Sequence, residues 1–224
     1  METKLNYKRT FLIGLAFLSI CSFWQMYDNI IPLILQNTYH LGETMTGAVM
    51  ALDNVLAIFL LPVFGTLSDK VHTKLGRRMP FIVSGTILAV IFMMLLPMID
   101  NAEKARWGTV ESFSNQVIFL AVLFFTLVSM GLYRSPAVAL MPDVTPNHLR
   151  SRANAVINLM GAVGGVYALI MIKVLVGKGE TPDYLPLFAS IAAVMAIAVG
   201  ILVMTIRENK LREEVEKAEA ANAG

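Results

Sequence analysis

The chain is poor in charged residues and holds a single cysteine. Asp, Glu, Lys and Arg make up 15% of its 224 residues, whereas an ordinary soluble domain carries about 25%. The cysteine, Cys21, lies inside an apolar run, and an intrachain disulfide is excluded. The net charge of +2 is too small to indicate nucleic-acid binding. Composition therefore argues against a soluble domain and against a nucleic-acid partner.

Histidine is also scarce, and none of the three histidines lies in an apolar segment. They are His40, His72 and His148, and no His-Glu-x-x-His motif or metal-spaced cluster surrounds them. Intramembrane proteases and metalloenzymes need paired acids, Ser/His pairs or His-rich sites inside the membrane. We therefore expect a protein that is not an enzyme and that has no metal site.

Long apolar segments are what the chain has in excess. Hydrophobic residues make up 56% of it, and six segments are long enough to cross the roughly 30 Å of hydrocarbon in a bilayer. They cover residues 10–36, 45–66, 80–99, 116–141, 153–176 and 185–206. This pattern predicts an all-α integral membrane protein, with six transmembrane helices forming one bundle over residues 1–206. The polar residues 207–224 are expected to form a tail or the start of a further loop.

The basic residues favour one orientation of this bundle. With the N-terminus inside, 13 Lys and Arg residues fall in cytoplasmic segments, and Lys104, Arg106 and Lys178 fall in outer loops. Because basic residues concentrate in cytoplasmic loops, both termini are expected in the cytoplasm. The lipid bilayer is thus the first expected partner, and the plasma membrane is the expected location.

A stretch rich in charge and glycine, residues 65–80, separates the second and third apolar segments. It reads Gly-Thr-Leu-Ser-Asp-Lys-Val-His-Thr-Lys-Leu-Gly-Arg-Arg-Met-Pro. A second polar block reads Arg-Ser-Pro-Ala-Val-Ala-Leu-Met-Pro-Asp over residues 134–143. The first block resembles the loop between helices 2 and 3 of the major facilitator superfamily. Its long Asp-to-Gly spacing, followed by Arg-Arg-x-Pro-Phe-Ile, is similar to plant sucrose transporters and to glycoside–pentoside–hexuronide:cation symporters.

This resemblance implies a secondary active transporter of a small polar solute, with a sugar or glycoside as the expected substrate. Members hold the substrate between two six-helix bundles and work by alternating access. The present chain corresponds to the N-terminal bundle, and a missing C-terminal bundle or a second copy would complete it. The alternatives are an inactive truncated fragment and a half-size subunit that works only after dimerisation.

The resemblance implies no cofactor, and the expected coupling ion is H⁺ rather than Na⁺. In melibiose-type symporters, acids in helices 2 and 4 help to bind the cation. The matching positions in this sequence are Ala57, Leu61 and Arg134. A carboxylate in a water-poor cavity can take up and release a proton, and we therefore assign coupling to Asp28 or Asp53.

Residues of the two polar blocks are expected to form a cytoplasmic latch. They are Gly65, Asp69, Gly76, Arg77, Arg78 and Asp143. Gly65 permits a close helix approach, and Asp143 is the preferred acidic partner of the two arginines. By resemblance, this network holds the two bundles together when the transporter opens outward. The alternative is a basic anchor at the membrane surface.

Polar residues inside the apolar segments are the substrate and proton candidates. They are Trp24, Gln25, Asp28, Asn29, Asp53 and Arg134. Because residues three and four apart share a helix face, Trp24, Gln25 and Asp28 form an aromatic and hydrogen-bonding stripe that suits a sugar. The alternatives are an aromatic belt residue for Trp24 and a polar clamp with Asn54 for Asp53.

Glycine spacing in the fifth apolar segment indicates helix packing. Gly161 and Gly165 are four residues apart, with Gly164 beside them. Small residues at this spacing let two helices approach closely in a membrane. We expect these glycines to form a helix contact rather than a binding site.

Overall fold

Helices account for almost all of the structure. A computed structural model describes residues 5–106, 113–177, 179 and 182–223, and Lys178, assigned above to an outer loop, lies outside these ranges. The described residues form eight α-helices and one 3-10 turn, Asn147–Leu149. The α-helices are α1 (Tyr7–Asn37), α2 (Glu43–Met50), α3 (Leu52–Lys70), α4 (Met79–Lys104), α5 (Phe113–Asp143), α6 (Arg150–Leu175), α7 (Leu185–Thr205) and α8 (Glu208–Ala223).

Six stretches of helix are long and apolar enough to cross a membrane. They are Tyr7–Asn37, Glu43–Lys70, Met79–Lys104, Ser114–Asp143, Asn147–Leu175 and Leu185–Thr205. The second stretch joins α2 and α3 across Ala51, whose N–H still donates to the carbonyl of Gly47 at 2.9 Å. These segments form helices because the hydrocarbon of a bilayer offers no hydrogen-bond partners. In an α-helix, the backbone N–H and C=O groups pair within the segment itself. The expectation of an all-α protein with six spans is confirmed.

Helix α1 lies at the centre of the bundle. It packs against α6, α7 and α5, while α4 packs between α5 and α7, and α3 packs on α5. The core contains fully buried aromatic side chains, among them Phe23, Tyr27, Tyr133 and Phe188. The Tyr133 hydroxyl hydrogen-bonds to the Ser19 hydroxyl at 2.6 Å and to the Ala16 carbonyl at 3.1 Å. The phenol therefore joins α5 to α1 with its polar atom satisfied in the core.

Two of the spans bury very little of their surface within the bundle. Of the most apolar 18 residues, 6% are buried in the second span and 22% in the fifth, against 56% in the first. Large apolar side chains such as Ile58 and Phe59 on α3 and Val166 and Ile170 on α6 are more than half exposed. Lipid or another protein surface must cover them, because apolar area of this extent is unfavourable in water.

Hydrogen bonds define two opposite ends of the bundle. At one end, which we call the terminal face, Arg9 lies 3.3 Å from Glu214 of α8 and the loop before α4 contacts Glu208. At the other end, the buried Asp100 carboxylate accepts from Thr38 at 2.7 Å and from Lys104 at 2.6 Å. The start of α1, helix α8, the 71–78 loop and the α5–α6 connection thus share the terminal face.

The glycine contact between α1 and α6 is closest at Gly164. A Cβ atom there would overlap the backbone carbonyl of Leu18, and Ser22 donates to the Gly164 carbonyl at 2.9 Å. At Gly161 the nearest atom would be Cys21 Sγ at 2.9 Å, whereas at Gly165 it would be Gln25 Oε1 at 3.6 Å. The tight pair is therefore Gly161 and Gly164, three residues apart, and Gly165 has ordinary space beside it.

We predict that Gly164→Ala destabilises the bundle and that Gly165→Ala does not. The added methyl group at residue 164 meets backbone of α1, which cannot rotate away, and overpacking of this kind costs about 1–3 kcal/mol. The measurement is the thermal unfolding midpoint of the two purified variants in detergent. Equal midpoints would show that the α1–α6 distance is not set at Gly164.

Candidate functional site

A buried arginine holds the terminal face together. The Arg78 side chain is 6% exposed, and its guanidinium lies 2.5 Å from Asp69 Oδ1 and 2.9 Å from Asp143 Oδ2. The same group donates to the Gly65 carbonyl at 3.2 Å and to Ser68 Oγ at 2.5 Å. Because a buried charge is tolerated only when it is paired and hydrogen-bonded, Arg78 fixes the end of α3 against the end of α5.

The neighbouring Arg77 uses the same two acids. Its Nη2 lies 2.8 Å from Asp143 Oδ1 and its Nη1 lies 3.5 Å from Asp69 Oδ1. Burial lowers the pKa of the Arg77 guanidinium, but the hydrogen bond and charge of Asp143 outweigh this and raise the pKa above its ordinary value. Arg77 therefore stays charged at every physiological pH.

A third carboxylate, that of Glu208, caps helix α4 from the far end of the chain. It is fully buried and accepts from the backbone N–H groups of Arg77, Arg78 and Met79 at 2.9–3.1 Å. The first turn of α4 has no acidic residue and its N-cap has no side-chain hydrogen bond. A negative charge here satisfies free N–H groups and interacts favourably with the helix dipole.

Gly76 makes room for this cap. Its φ is +126°, which side chains with a Cβ rarely adopt, and a Cβ atom would overlap the Glu208 carboxylate. The loop is closed further by Thr73, whose hydroxyl donates to the Gly76 carbonyl at 2.5 Å. The latch candidates thus lie in one cluster around Arg78, and Glu208, which sequence reasoning missed, caps its backbone; the candidates are Gly65, Asp69, Gly76, Arg77, Arg78 and Asp143.

Inside the bundle, Trp24, Asp53 and Arg134 line one small cavity. Its volume is about 20 Å³, and Leu56 and Gly131 are among its other walls. The Arg134 guanidinium lies 5.6 Å from the centroid of the Trp24 ring, which is the distance of a cation–π interaction. Asp53 accepts from Asn54 at 2.9 Å. Trp24 of α1, Arg134 of α5 and Asp53 of α3 therefore line the same cavity.

The remaining candidates of α1 lie around this cavity without entering it. Asp28 and Asn29 are exposed, and Asn29 donates to the Gln25 carbonyl at 2.7 Å. Gln25 points towards Gly165 of α6. Asp28 lies one helical turn after Trp24 on α1, and Trp24 lines the same cavity as Asp53. The two acids thus share one region, although they come from different helices.

Two buried polar atoms in this region have no hydrogen-bond partner among the described residues. They are Trp24 Nε1 and the Tyr27 hydroxyl, and the rings of these residues meet edge to face at 5.4 Å. Buried donors are nearly always satisfied in folded proteins, and each exception requires an explanation. Within the described residues, no group of three or more His, Cys, Asp or Glu could hold a metal ion.

Comparison with known proteins identifies the family. Residues 12–223 match the family model described as Major Facilitator Superfamily. The chain belongs to the Major Facilitator Superfamily. It is therefore a multi-pass membrane protein of a transporter family, and the charged loop at its terminal face is the loop that the sequence resemblance picked out.

The superfamily relatives of this chain include sugar transporters. It is 26% identical over 137 residues to sucrose transport protein SUT3 of Oryza sativa subsp. japonica, and 34% identical over 116 residues to sucrose transport protein SUC4 of Arabidopsis thaliana. It is 24% identical over 144 residues to the uncharacterized symporter sll1374 of Synechocystis sp.. These alignments cover 58%, 49% and 62% of this chain, but only 27%, 22% and 25% of the respective relatives.

We predict that Arg78→Lys destabilises the protein by about 1–3 kcal/mol, since a single ammonium cannot reach Asp69, Asp143, Ser68 and Gly65 together. Arg212→Lys is the control, because Arg212 makes one pair on an exposed helix surface. Thermal unfolding in detergent measures both. If the two variants have the same unfolding midpoint, the fork geometry of the Arg78 guanidinium does not contribute to stability.

We predict a loss of similar size, about 1–3 kcal/mol, for Glu208→Ala, which leaves three N–H groups at the start of α4 without their acceptor. Glu216→Ala removes the same charge from the same helix at an exposed position and should change the unfolding midpoint little. Hydrogen exchange at residues 77–79 reports directly on the cap. Unchanged protection there in Glu208→Ala would contradict this assignment.

Proposed function

We propose that this chain forms half of a proton-coupled secondary transporter for a sugar or glycoside. The observation that carries the proposal is the meeting of Trp24, Asp53 and Arg134 around one cavity inside a membrane bundle. Ionisable residues are costly within a membrane and are found there mainly at transport pathways. Three spans each supply one chemically different group, which is the arrangement that a solute site between helices requires.

A carbohydrate suits the chemistry of this region. Asp53 and Arg134 can hydrogen-bond to the hydroxyls of a sugar, and Trp24 supplies an aromatic ring beside them. The unpartnered Trp24 Nε1 and Tyr27 hydroxyl are further groups that a hydroxyl-rich solute or its water could satisfy. The relatives named as sucrose transport proteins support the same substrate class.

Asp28 and Asp53 are the proposed proton carriers. A carboxylate inside a membrane can take up and release a proton, because its charged form is disfavoured away from water. Sodium coupling is less favoured, since Ala57, Leu61 and Arg134 occupy the positions where the resemblance would require acids. The cycle then loads a proton and a sugar from one side and releases both on the other.

A second six-helix bundle completes the proposed transporter. The outer surfaces of α3 and α6 are the least buried, and the chain spans about a quarter of the length of its relatives in alignment. We assign these surfaces to a C-terminal bundle or to a second copy of the chain. The terminal face is assigned to the cytoplasm of a plasma-membrane protein by its basic residues, and its ion network is assigned as the latch between the bundles.

The test is uptake of a panel of radiolabelled sugars by proteoliposomes with an imposed pH gradient. The chain should accumulate at least one sugar when the lumen is alkaline, and Asp28→Asn or Asp53→Asn should reduce this uptake to the level without a gradient. Glu43→Gln removes an acid outside the long apolar helix α3 and serves as the matched control. It should retain gradient-driven uptake.

Sugar uptake that changes neither with the pH gradient nor with the two Asn substitutions would refute proton coupling but would still support sugar transport. Absence of uptake for every sugar would favour the fragment alternative. Co-reconstitution with a separately supplied C-terminal bundle would then restore transport if the half-transporter assignment is right. Cross-linking through Ile58→Cys on α3 would separately detect a second copy.

A further inference from the structure

A cationic pocket opens at the terminal face, away from the Arg78 network. It has a volume of about 320 Å³ and lies between the start of α1, the end of α7 and the start of α8. Its charged walls are Lys8, Arg9, Arg207, Lys210 and Glu214. Four cations and one acid give the pocket a marked positive excess, and neither the solute site nor the ion network uses any of these residues.

Most of this positive charge is not neutralised within the chain. Arg9 pairs with Glu214 at 3.3 Å. Lys8, Arg207 and Lys210 are exposed and form no ion pair with any residue that the structure describes. The excess of positive charge that Glu214 leaves uncompensated favours an anion in the pocket.

The floor of the pocket is apolar. It is formed by Leu12, by Ile206 and by Leu211, and the last two are buried. The pocket also includes Thr205, the last residue of the sixth membrane-spanning helix. The pocket therefore combines cationic and apolar walls at the end of a membrane-spanning helix. A free inorganic anion would match the rim but not the floor.

We propose that this pocket binds the headgroup of an anionic phospholipid. Its phosphate lies among Lys8, Arg207 and Lys210, and its glycerol backbone covers Leu12 and Ile206. Basic pockets at the cytoplasmic ends of transmembrane helices provide this chemistry for phosphate-bearing lipids. The site depends on the chain spanning a membrane and not on which solute is transported, so it can be tested independently of transport.

The experiment titrates the purified full chain in detergent with phosphatidylglycerol or phosphatidylcholine and counts bound lipids by native mass spectrometry. The chain should bind phosphatidylglycerol more tightly, and Lys8→Gln with Lys210→Gln should weaken that binding about tenfold. Lys70→Gln with Lys74→Gln is the matched control, because it removes two exposed lysines from the same face outside the pocket. Its affinity should stay within the error of the unmodified chain.

Two further arms keep the result unambiguous. Lys8→Arg with Lys210→Arg keeps both charges and should keep the affinity, which separates lost charge from lost folding. Inorganic phosphate at matched ionic strength should not displace phosphatidylglycerol. Equal losses in the pocket and control variants, no preference between the two lipids, or full displacement by inorganic phosphate would each overturn the proposal.

Discussion

The buried guanidinium of Arg78 is the constraint on which the terminal face depends. A cation at 6% exposure must find its partners inside the protein, and they come from α3 and α5. The backbone N–H of the same residue donates to Glu208, which starts α8. One residue therefore fixes the ends of four helices: α3, α4, α5 and α8.

The charges around Arg78 balance only when all three acids are present. Two guanidiniums and the positive end of the α4 dipole face the carboxylates of Asp69, Asp143 and Glu208. Each acid comes from a different segment of the chain, and the loss of any one leaves a buried cation or a helix end under-compensated. The cluster therefore links the ends of α3, α4, α5 and α8 into one network of mutually dependent contacts.

The sequence was sufficient for the parts of this molecule that a bilayer dictates. Hydrocarbon thickness sets the length of each span, and the need to satisfy backbone groups sets its helical form. The grouping of Asp69, Arg77 and Asp143 could also be expected, because all three lie at helix ends on one side of the bundle. This grouping follows from the number and direction of the spans, which the apolar pattern of the sequence predicts.

Contacts that depend on the rotation of a helix about its axis, or on backbone groups, could not be predicted from the apolar pattern of the sequence. Glu208 caps three N–H groups, and backbone donors leave no side-chain pattern from which a distant acid can be inferred. The close approach at Gly164 rather than Gly165 reflects how α6 is rotated against α1. The contact of Arg134 with the Trp24 ring, at 5.6 Å, likewise depends on how α5 is rotated towards α1.

The two ends of the bundle are pinned by different helices, and this determines how it can move. The network at the terminal face joins α3, α4, α5 and α8. At the opposite end, hydrogen bonds among Thr38, Asp100 and Lys104 join the end of α1 to α4. Lys104 also donates to the carbonyl of Pro182, which precedes α7. Helix α4 belongs to both sets, so internal sliding would break buried charged hydrogen bonds at one end or the other. The spans that contain α3 and α6 are the two that bury least of their surface within the bundle. In the proposed cycle, the bundle therefore moves as one body, and the motion takes place where α3 and α6 meet their partner.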